Sequence, residues 1–175
     1  MSAKGRGAII PLHEVYNTPA PAINSLLDEL WPLALPNYRW GEPGAGIGSI
    51  ISEMHKRGVE PRQWEWAEIR EGKDYLKQGL TGPVDCVIDN PPFSLAQQFI
   101  TLGLSEARFN AHLLRLNFFG SQKRMPWWQD KMPTHLFVLS QRPSFTGKGT
   151  DSIEYAWFVW DEIGLCKRDP GIYVI

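Results

Sequence analysis

The residue pattern predicts an α/β fold, an open sheet with helices packed against it. Three observations carry that prediction. Tyr38-Arg39-Trp40-Gly41 reads as a short strand running into a loop with glycines at 44, 46 and 48. A helix follows, with Ile47, Ile50, Ile51 and Met54 on one face and Gly58 as its stop. Strand, glycine loop and helix in that order form a nucleotide-binding layout. Residues 84–88 are an apolar run bounded by Gly82-Pro83 and Pro91-Pro92, the mark of a buried strand. Beyond it, helical and strand patterns alternate, as in layered α/β proteins.

In chain order, residues 1–12 read as a flexible tail and residues 13–175 as one domain, a size that buries a substantial core. Thr18 followed by Pro19 predicts a helix start, with the hydroxyl as N-cap and proline in the first turn. Ile23, Leu26, Leu27 and Leu30 then recur at helical spacing. A helix N-terminus at this point suits an anion. The glycine loop does not fit a dinucleotide. Its third glycine would fall at Ser49, and Glu42 would face a pyrophosphate. Two anions about 4 Å apart in wet surroundings cost of order 1–4 kcal/mol. A ligand with a cationic head carries no such penalty.

Residues 63–69 alternate as a strand that carries Glu65 and Glu68. Gly72-Lys73-Asp74-Tyr75-Leu76 follows after only Arg70 and Glu71, which leaves no room for a crossover helix before it. Either that helix is deleted or this sheet edge becomes an irregular loop. Residues 95–108 read as a helix with Ala96, Phe99, Ile100 and Leu104 inward. Strands are expected at 111–116, 135–139 and 155–160, a short helix from Pro126, and an edge strand at 172–175. Lys123 and Arg124 in one loop, and Arg142 and Lys148 in the glycine-rich loop 141–150, are candidate phosphate contacts or ordinary surface charge.

The stretch after residues 84–88 carries the chemistry. Pro91 and Pro92 remove two N–H donors and fix two φ angles near −65°. The strand stops there, and a rigid corner presents Asn90, a backbone carbonyl, Phe93 and Ser94 at its carboxyl end, where open sheets place their ligands. The Asn90 amide oxygen and that carbonyl can both accept from one NH2 group, and Phe93 can stack on the ring that bears it.

The totals exclude several classes. A net charge of −1 rules out attachment to nucleic acid by bulk charge, so a DNA partner would need a local basic patch and bind with salt sensitivity. No run of about 18 apolar residues predicts a membrane span. Cys86 and Cys166 form no Cys-x-x-Cys, the four histidines share no spacing, and no metal is expected. The cysteine usage fits a reducing, cytoplasmic compartment.

Asn90-Pro91-Pro92-Phe93 resembles the (Asp/Asn)-Pro-Pro-(Tyr/Phe/Trp) signature of amino-methyltransferases, above all the DNA adenine-N6 methyltransferases. Tyr16-x-Thr18-Pro19, the loop from Glu42 to Gly48, the Gly-x-Asp-Tyr-Leu stretch 72–76 and the late basic loop resemble further elements of that family in the same linear order, most closely in its small phage-type members. The resemblance implies a Rossmann-like methyltransferase fold: a mostly parallel twisted sheet with a late antiparallel strand and helices on both faces. It implies S-adenosylmethionine as cofactor, held by Tyr16, Thr18, Pro19, Glu42, Gly44, Gly46, Gly48, Glu68, Asp74, Tyr75 and Asn90. At the end of the strand at 63–69 it implies an acidic residue that accepts from two hydroxyls, with Glu68 the candidate and Glu65 the alternative if the register slips. The catalytic corner would be Asn90, Pro91, Pro92 and Phe93. Substrate contacts would come from Phe93, Ser94, Lys123, Arg124, Arg142, Phe145 and Lys148. The implied reaction is direct in-line methyl transfer to the N6 amine of a flipped or single-stranded adenine in DNA. No Pro-Cys element of the cytosine-C5 kind is present. A separate target-recognition domain is not expected, so sequence choice would fall to short loops, a homodimer partner or an accessory protein. A phage-encoded chain would act in the bacterial host cytoplasm. The same signature occurs in methyltransferases of RNA adenine and of protein glutamine, and in an inactive form the chain would be a cofactor-binding interaction module.

Overall fold

The computed structural model describes residues 17–145, 149 and 152–175. Seven strands form one sheet: β1 (Trp40–Glu42), β2 (Trp64–Trp66), β3 (Cys86–Asp89), β4 (Phe109–Arg115), β5 (His135–Val138), β6 (Tyr155–Asp161) and β7 (Gly171–Val174). Their spatial order is β2-β1-β3-β4-β6-β5-β7. Every pairing is parallel except those of β6, which runs antiparallel between β4 and β5. The late antiparallel strand expected from the sequence is therefore β6. The order turns back at β1, with β2 on one side and β3 on the other, and such a switch point opens a crevice at the carboxyl ends of the strands.

Among the described residues five α-helices cover the sheet: α1 (Ala20–Leu27), α2 (Ser49–Lys56), α3 (Tyr75–Gln78), α4 (Ala96–Glu106) and α5 (Met125–Asp130). One face packs α1 and α2 against Trp40, Ile88, Leu113 and Trp157. The Trp157 indole donates to the Ala22 carbonyl at 2.7 Å, which ties α1 to β6. The opposite face packs α4 and α5, through Ala96, Ile100 and Trp128, against Leu114, Leu136 and Phe158. No helix among the described residues is long and apolar enough to cross a membrane.

Several boundaries differ from expectation. Helix α1 begins one residue later than Thr18-Pro19 predicted: Pro19 is the N-cap and accepts through its carbonyl, and no side chain caps the helix. Helix α2 begins after Gly48, whose φ of +77° suits only glycine. Ile47 thus lies in the loop and is 70% exposed rather than core. Leu104 is half-buried, and Gly103 joins Ala96, Phe99 and Ile100 on the buried side of α4. The missing crossover after β2 resolves as a short turn at residues 69–71 and the four-residue α3. Edge position makes this sufficient, since β2 has only one neighbour.

Beneath α4 the core is polar. Asp89 and His112 sit opposite each other on β3 and β4, both fully buried, with His112 Nδ1 2.5 Å from Asp89 Oδ1. Buried Asn110, one pleat away, donates to the Ala107 carbonyl at 2.8 Å. A Cβ on Gly103 would stand 2.6 Å from Asn110 Oδ1. Gly103→Ala is therefore expected to lower stability by about 1–3 kcal/mol through overpacking, read as a reduced urea midpoint at unchanged slope.

Candidate active site

The site starts from the end of β1. Glu42 is its last residue and only 2% exposed. Its Oε2 meets no hydrogen-bond partner among the described residues. Burial raises its pKa well above the ordinary carboxylate range; the nearby Asp89 and Glu68 carboxylates push the same way, against the N–H of Ile51 in the first turn of α2. Asp89 Oδ2, on the adjoining strand, is also buried without a partner among the described residues. A buried oxygen left bare at the carboxyl end of β1 favours a cationic ligand.

The glycine loop follows directly. The Ala45 N–H donates to the Ala67 carbonyl and the Ala67 N–H to the Glu42 carbonyl, which stitches the loop to the chain after β2. Gly46 has φ +56°, and its N–H donates to Glu68 Oε2 at 2.8 Å. A side chain at Gly48 would meet open space, so its φ rather than crowding calls for glycine there. The Asn17 amide oxygen stands 3.7 Å from where a Gly46 Cβ would be, so the segment before α1 abuts this loop. A cavity of about 280 Å³ opens between them, lined by Thr18, Ile23, Gly48, Ser49 and Glu53 among others.

Glu68 rather than Glu65 stands at the crevice. Glu65 turns to the amino end of the sheet, where it pairs with Arg39 at 3.1 Å and accepts from Thr81 at 2.7 Å. Glu68 lies beyond β2; its Oε1 accepts from the Arg70 backbone N–H and from Arg70 Nε at 2.8 Å. Burial alone would raise its pKa, but the bonds from Arg70 and Gly46 outweigh burial and hold it below the usual range. Glu68 is thus an ionised acceptor already engaged on both oxygens. Beside it Ile69 is 48% exposed.

The stretch 72–76 is only half at the surface. Asp74 is the N-cap position of α3 and pairs with Lys77 at 3.0 Å. Tyr75, expected among the residues that hold the cofactor, is core. It packs on Phe99 with centroids 5.1 Å apart, and its hydroxyl donates to Glu106 at 2.7 Å. The docking of α3 on α4 draws it inward.

The proline corner occupies the carboxyl end of β3, the strand next to β1. Neighbouring strands lie about 4.8 Å apart, so Asn90 and the glycine loop border the same crevice. Asn90, Pro92 and Phe93 are half-buried, Pro91 is buried and Ser94 is exposed. The Phe93 ring centroid lies 5.9 Å from that of Tyr155, and the Phe145 centroid 5.2 Å from it. The fold thus brings Phe93 and Phe145 to one aromatic group, through Tyr155, which the sequence did not single out.

The basic residues are less convergent. The Arg124 guanidinium lies 4.2 Å from the Phe118 ring centroid, and its Nε donates to the Phe118 carbonyl. Arg142 forms an ion pair with Glu154. Lys123 is exposed. Tyr16 and Lys148 lie outside the described residues. At the opposite end of the sheet, His135, Asp161 and Cys166 bring potential ligand atoms within 4.8 Å of one another. Asp161 there accepts from the backbone N–H groups of Ile163, Leu165 and Cys166, and His135 faces Thr134 Oγ and the Arg168 carbonyl. Their polar atoms organise the turn at residues 162–166.

No protein-family model and no curated protein sequence matches the chain. Solved structures do. A Pyrococcus horikoshii protein assigned as an RNA methyltransferase superposes with a TM-score of 0.63 at 16% identity, over 85% of this chain and 86% of its own. The type I restriction-modification methyltransferase subunit of Streptococcus thermophilus gives a TM-score of 0.62 at 14% identity, over 91% of this chain and 47% of its own. The M protein of the type I restriction enzyme EcoKI gives 0.57 at 13% identity, over 85% of this chain and 47% of its own. The chain therefore spans about half the length of these type I subunits. The fold it shares with all three is the Rossmann-like methyltransferase fold.

Proposed function

We propose that this chain is an S-adenosylmethionine-dependent methyltransferase that methylates the N6 amino group of adenine in DNA. One observation carries the reading: the Asn90-Pro91-Pro92-Phe93 corner and the buried, partly unpartnered Glu42 carboxylate end adjacent strands and border one crevice. Glu42 suits the ammonium of the cofactor's amino-acid head, and the segment at Thr18 and Pro19 suits its carboxylate. Gly44, Gly46 and Gly48 let the backbone approach closely. Glu68 offers the ribose hydroxyls acceptors, for which Arg70 would have to yield a share of Oε1. Exposed Ile69 offers an apolar face to a purine. Bound there, the cofactor supplies a methyl group already activated on a sulfonium.

The chain's own part is position. Asn90 Oδ1 and the Pro91 carbonyl accept from the two N–H bonds of the target amine and turn its lone pair out of conjugation. Phe93 supports the base from its flat side. Phosphate contacts fall to Lys123, Arg142 and Lys148, and base contacts to Ser94 and Phe145. The two type I subunits are named for restriction and modification systems, which favours DNA. The Pyrococcus neighbour matches nearly end to end and keeps RNA adenine as a second reading. The test is tritiated methyl transfer to adenine-containing oligonucleotides, single- and double-stranded DNA and RNA in parallel. The expected result is label on DNA adenine. Label on RNA alone would move the substrate, and no label on any of them would overturn the reading.

A further inference from the structure

The corner's aromatic ring does not stand by itself. Arg115, the last residue of β4, places its guanidinium carbon 4.3 Å from the Phe93 ring centroid. Its Nε donates to the Tyr155 hydroxyl at 3.1 Å. Arg115 and Tyr155 are direct partners in the antiparallel β4–β6 ladder, so the tether is built into the sheet register. Tyr155 is fully buried, Arg115 and Phe93 half-buried. Three elements thus converge on one ring: the turn after β3, the end of β4 and the start of β6.

We propose that Arg115, held by Tyr155, is the positioning residue that sets the Phe93 ring as the stacking platform for the target base. The inference rests on the adenine-transfer reading above. A phenyl ring on a turn has two free side-chain torsions, and a planar cation over one face fixes its plane. A base then meets a ring already oriented, so less freedom is lost when it stacks. Arginine fits this role better than lysine, because one guanidinium can lie flat on a ring and donate from Nε to a fixed oxygen at the same time. Tyr155 is rigid in turn, since its ring is enclosed and packs against Phe145 as well as Phe93.

The test is steady-state kinetics on an adenine oligonucleotide with Arg115→Met, Arg115→Lys and Tyr155→Phe, each made also in a Phe93→Leu background. With Phe93 present, Arg115→Met is expected to lower kcat/KM for the oligonucleotide about tenfold. Arg115→Lys is expected to recover part of that loss, and Tyr155→Phe to lose less in the same direction. The cofactor's Kd, measured by calorimetry, should move less than twofold in all three. In the Phe93→Leu background Arg115→Met should have almost no further effect, which a merely structural role would not produce. An equal loss with and without Phe93, or a parallel loss of cofactor affinity, would overturn the inference. An Arg115→Met enzyme with unchanged kcat/KM would overturn it while leaving the adenine reading intact. A wild-type chain that methylates no oligonucleotide overturns both.

Discussion

Asn90→Ala is expected to reduce methyl transfer by about 10²–10³-fold, the size of effect seen when one preorganised polar group at a reacting centre is removed. Asn90 lies between a strand end that is fully buried at Asp89 and a proline that is buried at Pro91. Its backbone is therefore placed by its neighbours on both sides, and truncation of its side chain removes an acceptor without moving the turn. Cofactor affinity should stay within a few-fold of wild type, because the glycine loop and Glu42 belong to other elements. Asn90→Asp keeps an acceptor oxygen and should retain more activity than the alanine variant. Single-turnover rates with the cofactor saturating check all three statements. Full activity in Asn90→Ala would remove the corner from the chemistry.

Glu42→Gln should separate binding from folding. Loss of a charge-assisted contact to an ammonium costs about 1.5–3 kcal/mol, so cofactor affinity should fall roughly 10–150-fold. The ligand-free protein should move the other way. A buried carboxylate with a bare oxygen and two acidic neighbours opposes folding when ionised. The neutral amide removes that strain, and about 1 kcal/mol gained raises the midpoint of thermal unfolding by about 2–4 °C near neutral pH.

The pH dependence follows from the direction of the shift. Glu42 has a raised folded pKa, so its contribution to stability is fully present below the ordinary value of 4.5 and is lost as pH rises through the folded value. A cationic ligand needs the ionised form, so affinity should strengthen over the same rise and binding should release a proton. Calorimetry in buffers of different ionisation heat detects that proton. Its absence in wild type, or its persistence in Glu42→Gln, would contradict the assignment.

What the sequence displayed was mostly local. The glycine loop and the proline corner are written in backbone chemistry that needs no distant partner: positive φ at Gly46 and Gly48, and two prolines that forbid a longer strand. The sheet class followed from the same spacing. What stayed hidden depended on residues far apart in the chain. Tyr75 is buried against Phe99, and Glu106, 31 positions on, accepts its hydroxyl. Arg115 and Tyr155 are 40 positions apart and meet only through strand pairing. Arg142, read as a phosphate contact or surface charge, gains an ion pair with Glu154 that only the fold shows. Ile47 fitted a helical stripe by spacing alone, and one glycine later the helix began without it.

The hydrogen-bonded layer under α4 bears on how the crevice keeps its shape. Oily side chains tolerate a strand sliding along its neighbour, because one methyl group replaces another. Asp89 and His112 do not, since a two-residue slip of β3 against β4 would set Asp89 beside Leu114 and leave a buried carboxyl group without its partner. The pair is a registration mark, and it sits one residue before Asn90. Errors of alignment are thereby penalised most heavily at the point in the sheet where the reacting amide is hung.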